Sequence, residues 1–159
     1  MKHLPKHLQP RWRYLAVAVE TWPDVGFGRR AVQRELWYAA QNLLGDPGSA
    51  DADLRLLRFR LDEGSGGAIV RARRGEVEAA RAAIACVDAV NGHAVGLRVT
   101  GVSGSVDGAS ERYLGDPAAS VTQSEVAFEG TERPAHRRDG VLDVETPDGW
   151  LGATVHDTE

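Results

Sequence analysis

An α+β fold in the order strand, helix, strand, strand, helix, strand is what this sequence predicts. Three observations carry it: a helical apolar periodicity over residues 27–44, a strand–turn–strand unit over 53–74 in which apolar residues alternate with arginine, and a second helix-then-strand unit over 75–102.

Residues 11–20 open the chain's structured part as a strand, with Leu15, Val17 and Val19 alternating against smaller residues, and Trp22-Pro23-Asp24 ends it. In the first helix Val32, Leu36, Ala39 and Leu43 recur on one face with Ala40 and Leu44 beside them, and Gly45-Asp46-Pro47-Gly48 is a stop. Residues 53–61 form the second strand. There Leu57, Phe59 and Leu61 are expected on one face and Arg58 and Arg60 on the other, with Asp62-Glu63-Gly64-Ser65-Gly66 as a five-residue turn into the third strand, 67–74. The second helix is expected over 75–90 through Val77, Ala80, Ile84 and Val87, stopped by Asn91-Gly92. The fourth strand follows over 94–102 through Val95, Leu97 and Val99, then a short helix near 107–114. This is the βαββαβ order of ferredoxin-like and RRM-like domains, a four-stranded antiparallel sheet with both helices on one face and the other face open.

The organisation expected is a basic N-terminal extension over 1–10, an RRM-like domain over 11–115 and an acidic tail over 116–159. The tail contains strand-like pieces (125–128, 141–144, 150–155) and the turn dipeptides Asp139-Gly140 and Asp148-Gly149. It reads equally as a small β appendage or a solvated tail.

The net charge of −4 conceals an asymmetry. Residues 1–115 hold 16 Lys+Arg against 13 Asp+Glu, whereas residues 116–159 hold 3 against 10. A mildly basic body points to a polyanionic partner. Arginine outnumbers lysine 17 to 2, which together with abundant Asp and Ala suggests a salt-loving source. At about 1 M salt the Debye length is only about 3 Å, so contacts with a polyanion must be short-range and geometrically matched, where arginine outperforms lysine. The single cysteine, Cys86, excludes an internal disulfide and a Cys-rich zinc site, and no stretch approaches the ~18 apolar residues of a membrane span. A cytoplasmic protein without a secretory signal is expected.

If Leu57, Phe59, Leu61 and Val70 face the helices, then Arg58, Arg60, Arg71, Arg73 and Arg98 lie on the open face, a pattern suited to phosphate binding. Arg13 and Lys6 add to the candidate RNA-binding set. The third strand has no aromatic residue, so backbone recognition is expected rather than base stacking. In the loop Gly101–Gly108, residues Ser103, Gly104 and Ser105 are candidates to hold a phosphate on free backbone N–H groups, against the plainer role of Ser105 or Asp107 as a helix cap; the loop lacks the Gly-Lys-Ser/Thr of a nucleotide P-loop. His3 and His7 flank Pro5 and make a poor metal pair, and Cys86 reads as a small buried hydrophobe. Glu76 and Glu78 suit the start of a helix, and no carboxylate pair assembles a hydrolytic site.

Three blocks in series carry a resemblance. Arg13-Tyr14-Leu15, Gly66-Gly67-Ala68-Ile69-Val70-Arg71 and Val102-Ser103-Gly104-Ser105-Val106 resemble archaeal ribonuclease P protein component 2, the family that includes the eukaryotic Pop-five subunit, over roughly residues 11–114. Ser105-Val106 stands where Thr-Ile is expected. The resemblance implies an RRM-like fold and a role in removing the 5′ leader of precursor tRNA. It implies as partners the ribonuclease P RNA, protein component 3 and the other protein components, with precursor tRNA met indirectly. Hydrolysis would then belong to metal-activated water in the RNA, with magnesium there and no cofactor on this chain. Two other readings share the βαββαβ order or the arginine pattern: an ACT-like small-molecule regulatory domain and a protein-interaction module without RNA.

Overall fold

β1 (Trp12–Glu20) lies inside the sheet, flanked on both sides. It pairs antiparallel with β3 (Ser65–Arg73) and with β6 (Gly96–Ser103), and β2 (Arg55–Asp62) closes on β3, giving the order β2-β3-β1-β6. The computed structural model describes residues 5–9, 11–114, 121–138 and 141–157. α1 (Arg29–Ala52) and α2 (Val77–Ala85) pack on one face, where Leu15, Val17, Val19, Val70 and Ala72 meet Val32, Leu36, Ala40, Ala80 and Ile84. The ferredoxin-like α+β arrangement read from the sequence is the one formed.

Several details differ from expectation for identifiable reasons. The stop at Gly45 is a bend: Gly45 takes φ 71, ψ 174, and the chain resumes helical structure with Pro47 in the first turn of the second leg, where its missing N–H costs nothing. That leg ends at Asp53, a left-handed C-cap (φ 45) whose N–H bonds Ser49 O. The β2–β3 turn is two residues, not five. Glu63 (φ 48) and Gly64 (φ 78) both have positive φ, the turn whose twist matches a hairpin, so Asp62 pairs directly with Ser65. α2 stops at Ala85, well short of Asn91-Gly92. That dipeptide (φ 52 and 79) is a second hairpin turn, joining β4 (Ala89–Val90) to β5 (His93–Ala94). Because α2 ends early, Cys86 falls outside its core face and is exposed, not the buried residue expected.

A β-bulge between Leu56 and Arg58 makes Leu56, rather than Leu57, the fully buried residue at the start of β2. β2 is an edge strand, and α1 covers its backbone with side chains. Gln33 Oε1 accepts from Leu56 N–H (2.6 Å), Arg29 donates to Leu56 O (2.6 Å), and Trp37 Nε1 donates to Leu54 O (3.0 Å). These bonds occupy the backbone at the start of the edge, where another strand would otherwise pair.

α3 (Val106–Tyr113) lies on the opposite face of the sheet, over Ala16 and Ile69, which are fully buried with Ala109 and flanked by Tyr14, Tyr113 and Leu114. The second face is therefore not open across its width.

Beyond residue 120 the chain builds a separate antiparallel meander, ordered β10-β9-β8-β7: β7 (Val121–Phe128), β8 (Thr131–Arg138), β9 (Val141–Thr146) and β10 (Gly149–Thr154). Its core is Phe128, Ala135, Leu142, Val144 and Ala153. The Asp157 carboxylate accepts from Thr154 N–H (2.7 Å) and Oγ1 (2.9 Å), bonds that hold its pKa below the usual carboxylate value. The turn dipeptide Asp139-Gly140 and the residues Lys2, His3, Gly115 and Pro117 lie outside the described residues.

Candidate nucleic-acid interface

The strand registers place the arginines of the α3 face in rows across the sheet. Trp12 sits opposite Arg73. The next row is Arg55, Arg71, Tyr14 and Ser103; then Arg58, Ile69, Ala16 and Gly101; then Arg60, Gly67, Ala18 and Arg98; and finally Asp62, Ser65, Glu20 and Gly96. All five arginines expected on this face, Arg58, Arg60, Arg71, Arg73 and Arg98, share it. Arg55 joins them because the bulge flips the parity of β2 upstream of Arg58.

α3 divides this face in two. It seals the middle row: Tyr113 presses on Gly101, where a side chain would have no room, and Leu114 lies close over Gly67. Arg58 is drawn into the seal by an ion pair with Asp107 at 2.9 Å, both side chains more than half exposed. On one side remain Arg55, Arg71 and Arg73 with Trp12; on the other, Arg60 and Arg98 flank the far end of α3. Arg55, Arg60 and Arg98 form no ion pair with any described residue.

The first group is organised around an indole. The Arg71 guanidinium lies 3.7 Å from the centroid of Trp12, and that of Arg73 lies 5.8 Å away. The Arg71 Nε–H is buried and meets no hydrogen-bond acceptor among the described residues, while the guanidinium as a whole lies over the π-face of Trp12. Asp53 reaches both arginines only at the limit of an ion pair, 4.0 and 3.9 Å. Three arginines against one distant carboxylate leave this end positive. Trp12 and Tyr14 bear on the expectation that this sheet would not stack bases, which rested on the third strand: β3 has no aromatic, but β1 supplies two. Tyr14 is packed beneath α3, while Trp12 is beside the arginines. The Leu15–Val17–Val19 alternation, carried back toward the start of β1, is the signal that could have found Trp12.

The remaining candidates lie elsewhere. Arg13 pairs in register with the core residue Ala72, on the helix-packed face, and donates to its neighbour Trp12 O at 3.2 Å. Lys6 is exposed in a single 3-10 turn, Lys6–Leu8. Ser105 is the N-cap of α3, its Oγ accepting from Gly108 N–H (3.0 Å), and Ser103 Oγ accepts from Ser105 N–H (3.3 Å). Those two amides are thus already partnered, and Gly104 between the two serines is exposed. Among the described residues no three His, Cys, Asp or Glu side chains converge as a metal site, and no helix is long and apolar enough to cross a membrane.

The sequence model of the Rpp14/Pop5 family matches residues 13–114, that is β1 to the end of α3. A protein of Halorubrum lacusprofundi named ribonuclease P protein component 2 is 60% identical over 159 residues, spanning 100% of both chains. One of the same name from Natronomonas pharaonis is 54% identical over 157 residues, 99% of this chain and 98% of that one. A third, from Methanosarcina acetivorans, is 36% identical over 116 residues, 73% of this chain and 83% of the other. The second sheet, β7 to β10, lies outside the family match but inside the alignment with the Halorubrum relative.

Proposed function

Because the chain belongs to the Rpp14/Pop5 family, we propose that it acts as a protein subunit of ribonuclease P by laying its arginine face against the RNA of that enzyme. Membership in the ribonuclease P particle, and through it a part in removing the 5′ leader of precursor tRNA, follows from full-length identity of 60% to a protein named ribonuclease P protein component 2. The RNA contact is carried by one observation: Arg55, Arg71 and Arg73 share one end of a sheet face and, among the described residues, have a single, distant carboxylate between them.

The face offers donors and positive charge but no paired acid and base. We therefore place hydrolysis in the RNA subunit, with magnesium bound there, and give this chain the work of neutralising and positioning phosphates. Protein component 3 and the other protein components are its proposed neighbours in the particle, and precursor tRNA is met through the RNA. The cytoplasm is the proposed location. The glycine-rich loop, the feature that would support a regulatory small-molecule site, is taken up by capping α3.

The test is reconstitution. Adding this chain, with protein component 3, to the ribonuclease P RNA should lower the magnesium concentration needed to cleave precursor tRNA. An unchanged magnesium requirement would refute the RNA-supporting role.

A further inference from the structure

We infer that the groove inside the bend of α1 binds an unpaired RNA nucleotide, its base stacked on Trp37. The inference rests on the proposed RNA-binding role and extends it to a site off the sheet. The bend at Gly45 turns the two legs of α1 toward each other and leaves a cleft of about 820 Å³ between them, within the size range of small-ligand sites. Trp37 and Tyr38 line it from the first leg, Ser49 and Ala50 from the second, and Leu54 lines it from just beyond the second leg.

The two aromatics are the reason to look for a ligand. Both are about half exposed, 47% and 54%, in a helix whose other large apolar residues mostly serve the core. Trp37 is not loose: its Nε1–H is held by Leu54 O at 3.0 Å, which fixes the plane of the indole while leaving the ring at the surface. A pinned aromatic loses little freedom on stacking, and base–aromatic stacking is how proteins hold single-stranded nucleic acid.

Position beside the arginine row of the sheet, rather than the charge of the cleft itself, favours RNA as the occupant. Arg34 and Arg30 line the same cleft, three and seven residues before Trp37 and hence on its side of the helix. Arg34 is oriented by a bond to Asn91 Oδ1 at 2.9 Å. At the other end the cleft reaches Asp53, the residue whose carboxylate lies 4.0 and 3.9 Å from Arg71 and Arg73. The groove therefore opens beside the arginine row of the sheet. A strand whose phosphates lie on Arg55, Arg71 and Arg73 can turn past the edge of β2 and place its next unpaired base on Trp37. Asp46 and Asp53 balance Arg30 and Arg34 in the cleft lining, so the positive charge that holds the strand comes from the sheet arginines.

The experiment is 2′-hydroxyl acylation footprinting of the ribonuclease P RNA in the reconstituted particle, which reads every nucleotide whatever its base. Trp37→Ala should expose one or two unpaired nucleotides that the unaltered chain protects, and weaken RNA affinity by about 5- to 150-fold, the fold-change expected when one base–aromatic stack is removed. Trp37→Phe should keep most of the protection. Tyr38→Ala, which removes no hydrogen bond of the fold, should reduce protection at the same nucleotides and serves if Trp37→Ala folds poorly. An identical footprint in folded Trp37→Ala and Tyr38→Ala, or loss of a protein component in place of RNA protection, overturns the inference. If the unaltered chain leaves no footprint anywhere, it is the RNA-binding role itself that fails.

Discussion

The ring of Tyr113 occupies the space where a Cβ of residue 101 would stand. α3 is thus fastened to the sheet by backbone-to-ring contact, and the glycine in β6 is what admits it. Gly101→Ala should destabilise the protein by about 1–3 kcal/mol, the usual cost of overpacking, or expel α3 from the sheet. Denaturant titration reads the first outcome and amide exchange in α3 the second. A Gly101→Ala protein with unchanged stability and protected α3 amides would mean that Tyr113 is easily displaced.

The same contact shows what sequence alone could and could not reveal. Alternation reports which residues of a strand share a face, so Arg58, Arg60, Arg71, Arg73 and Arg98 were legible on one side of the sheet. It does not report what covers that face. α3 is short, and the apolar residues it brings to the sheet, Val106, Ala109, Tyr113 and Leu114, show that it packs somewhere without saying on which face. The bulge in β2 had a visible sign, the doublet Leu56-Leu57 that interrupts the alternation, and reading it would have found Arg55. Asn91-Gly92 was legible as a turn but ambiguous in kind, since the same dipeptide ends helices and closes hairpins. The bend at Gly45 reads as a stop because glycine and proline mark a break in the backbone without saying whether the helix resumes beyond it. The α1 cleft, a product of that bend, was out of reach for the same reason.

The two arginine groups should respond differently to truncation. Arg60 and Arg98 are unpaired among the described residues, so Arg60→Ala and Arg98→Ala should leave stability within about 0.5 kcal/mol. Each should lower the salt dependence of RNA binding by about 0.7–0.9 for every phosphate the arginine neutralises. Arg71 is different, with 23% of its side chain exposed and its guanidinium on Trp12. Arg71→Ala should also cost about 1–2 kcal/mol of folding stability, because packing and the cation–π interaction are both removed. Parallel denaturation and salt-titrated RNA binding separate the two effects. An Arg71→Ala protein as stable as the parent would show that the Trp12 stack contributes nothing to the fold.

The Arg58–Asp107 pair is expected to restrain RNA binding more than it stabilises the fold. Both partners are more than half exposed, and such pairs are worth at most about 1 kcal/mol. Asp107→Asn removes one negative charge from the divided face and releases Arg58 toward phosphate. RNA affinity measured at fixed salt should rise while the denaturation midpoint falls only slightly, partly because Asp107 also sits in the first turn of α3. A drop in affinity would show that Asp107 holds the face in its binding shape.

Leu142 is fully buried in the second sheet, within a cluster that shares no residue with the main core. Leu142→Ala should therefore cost about 2–5 kcal/mol locally, as truncating a buried leucine to alanine usually does, and should act on β7 to β10 alone. No residue of the described main core belongs to the Leu142 cluster, although Asp143, next to Leu142, lines a cleft with Thr21, Trp22 and Val95 of the body. Amide exchange should accelerate across residues 125–154 while protection of β1 and β3 is unchanged. The alternative outcome is equally readable. If Leu142→Ala loosens β1 and β3 as well, the two sheets unfold as one cooperative unit, and the second sheet contributes to the stability of the arginine face although it lies beyond the stretch matched by the family.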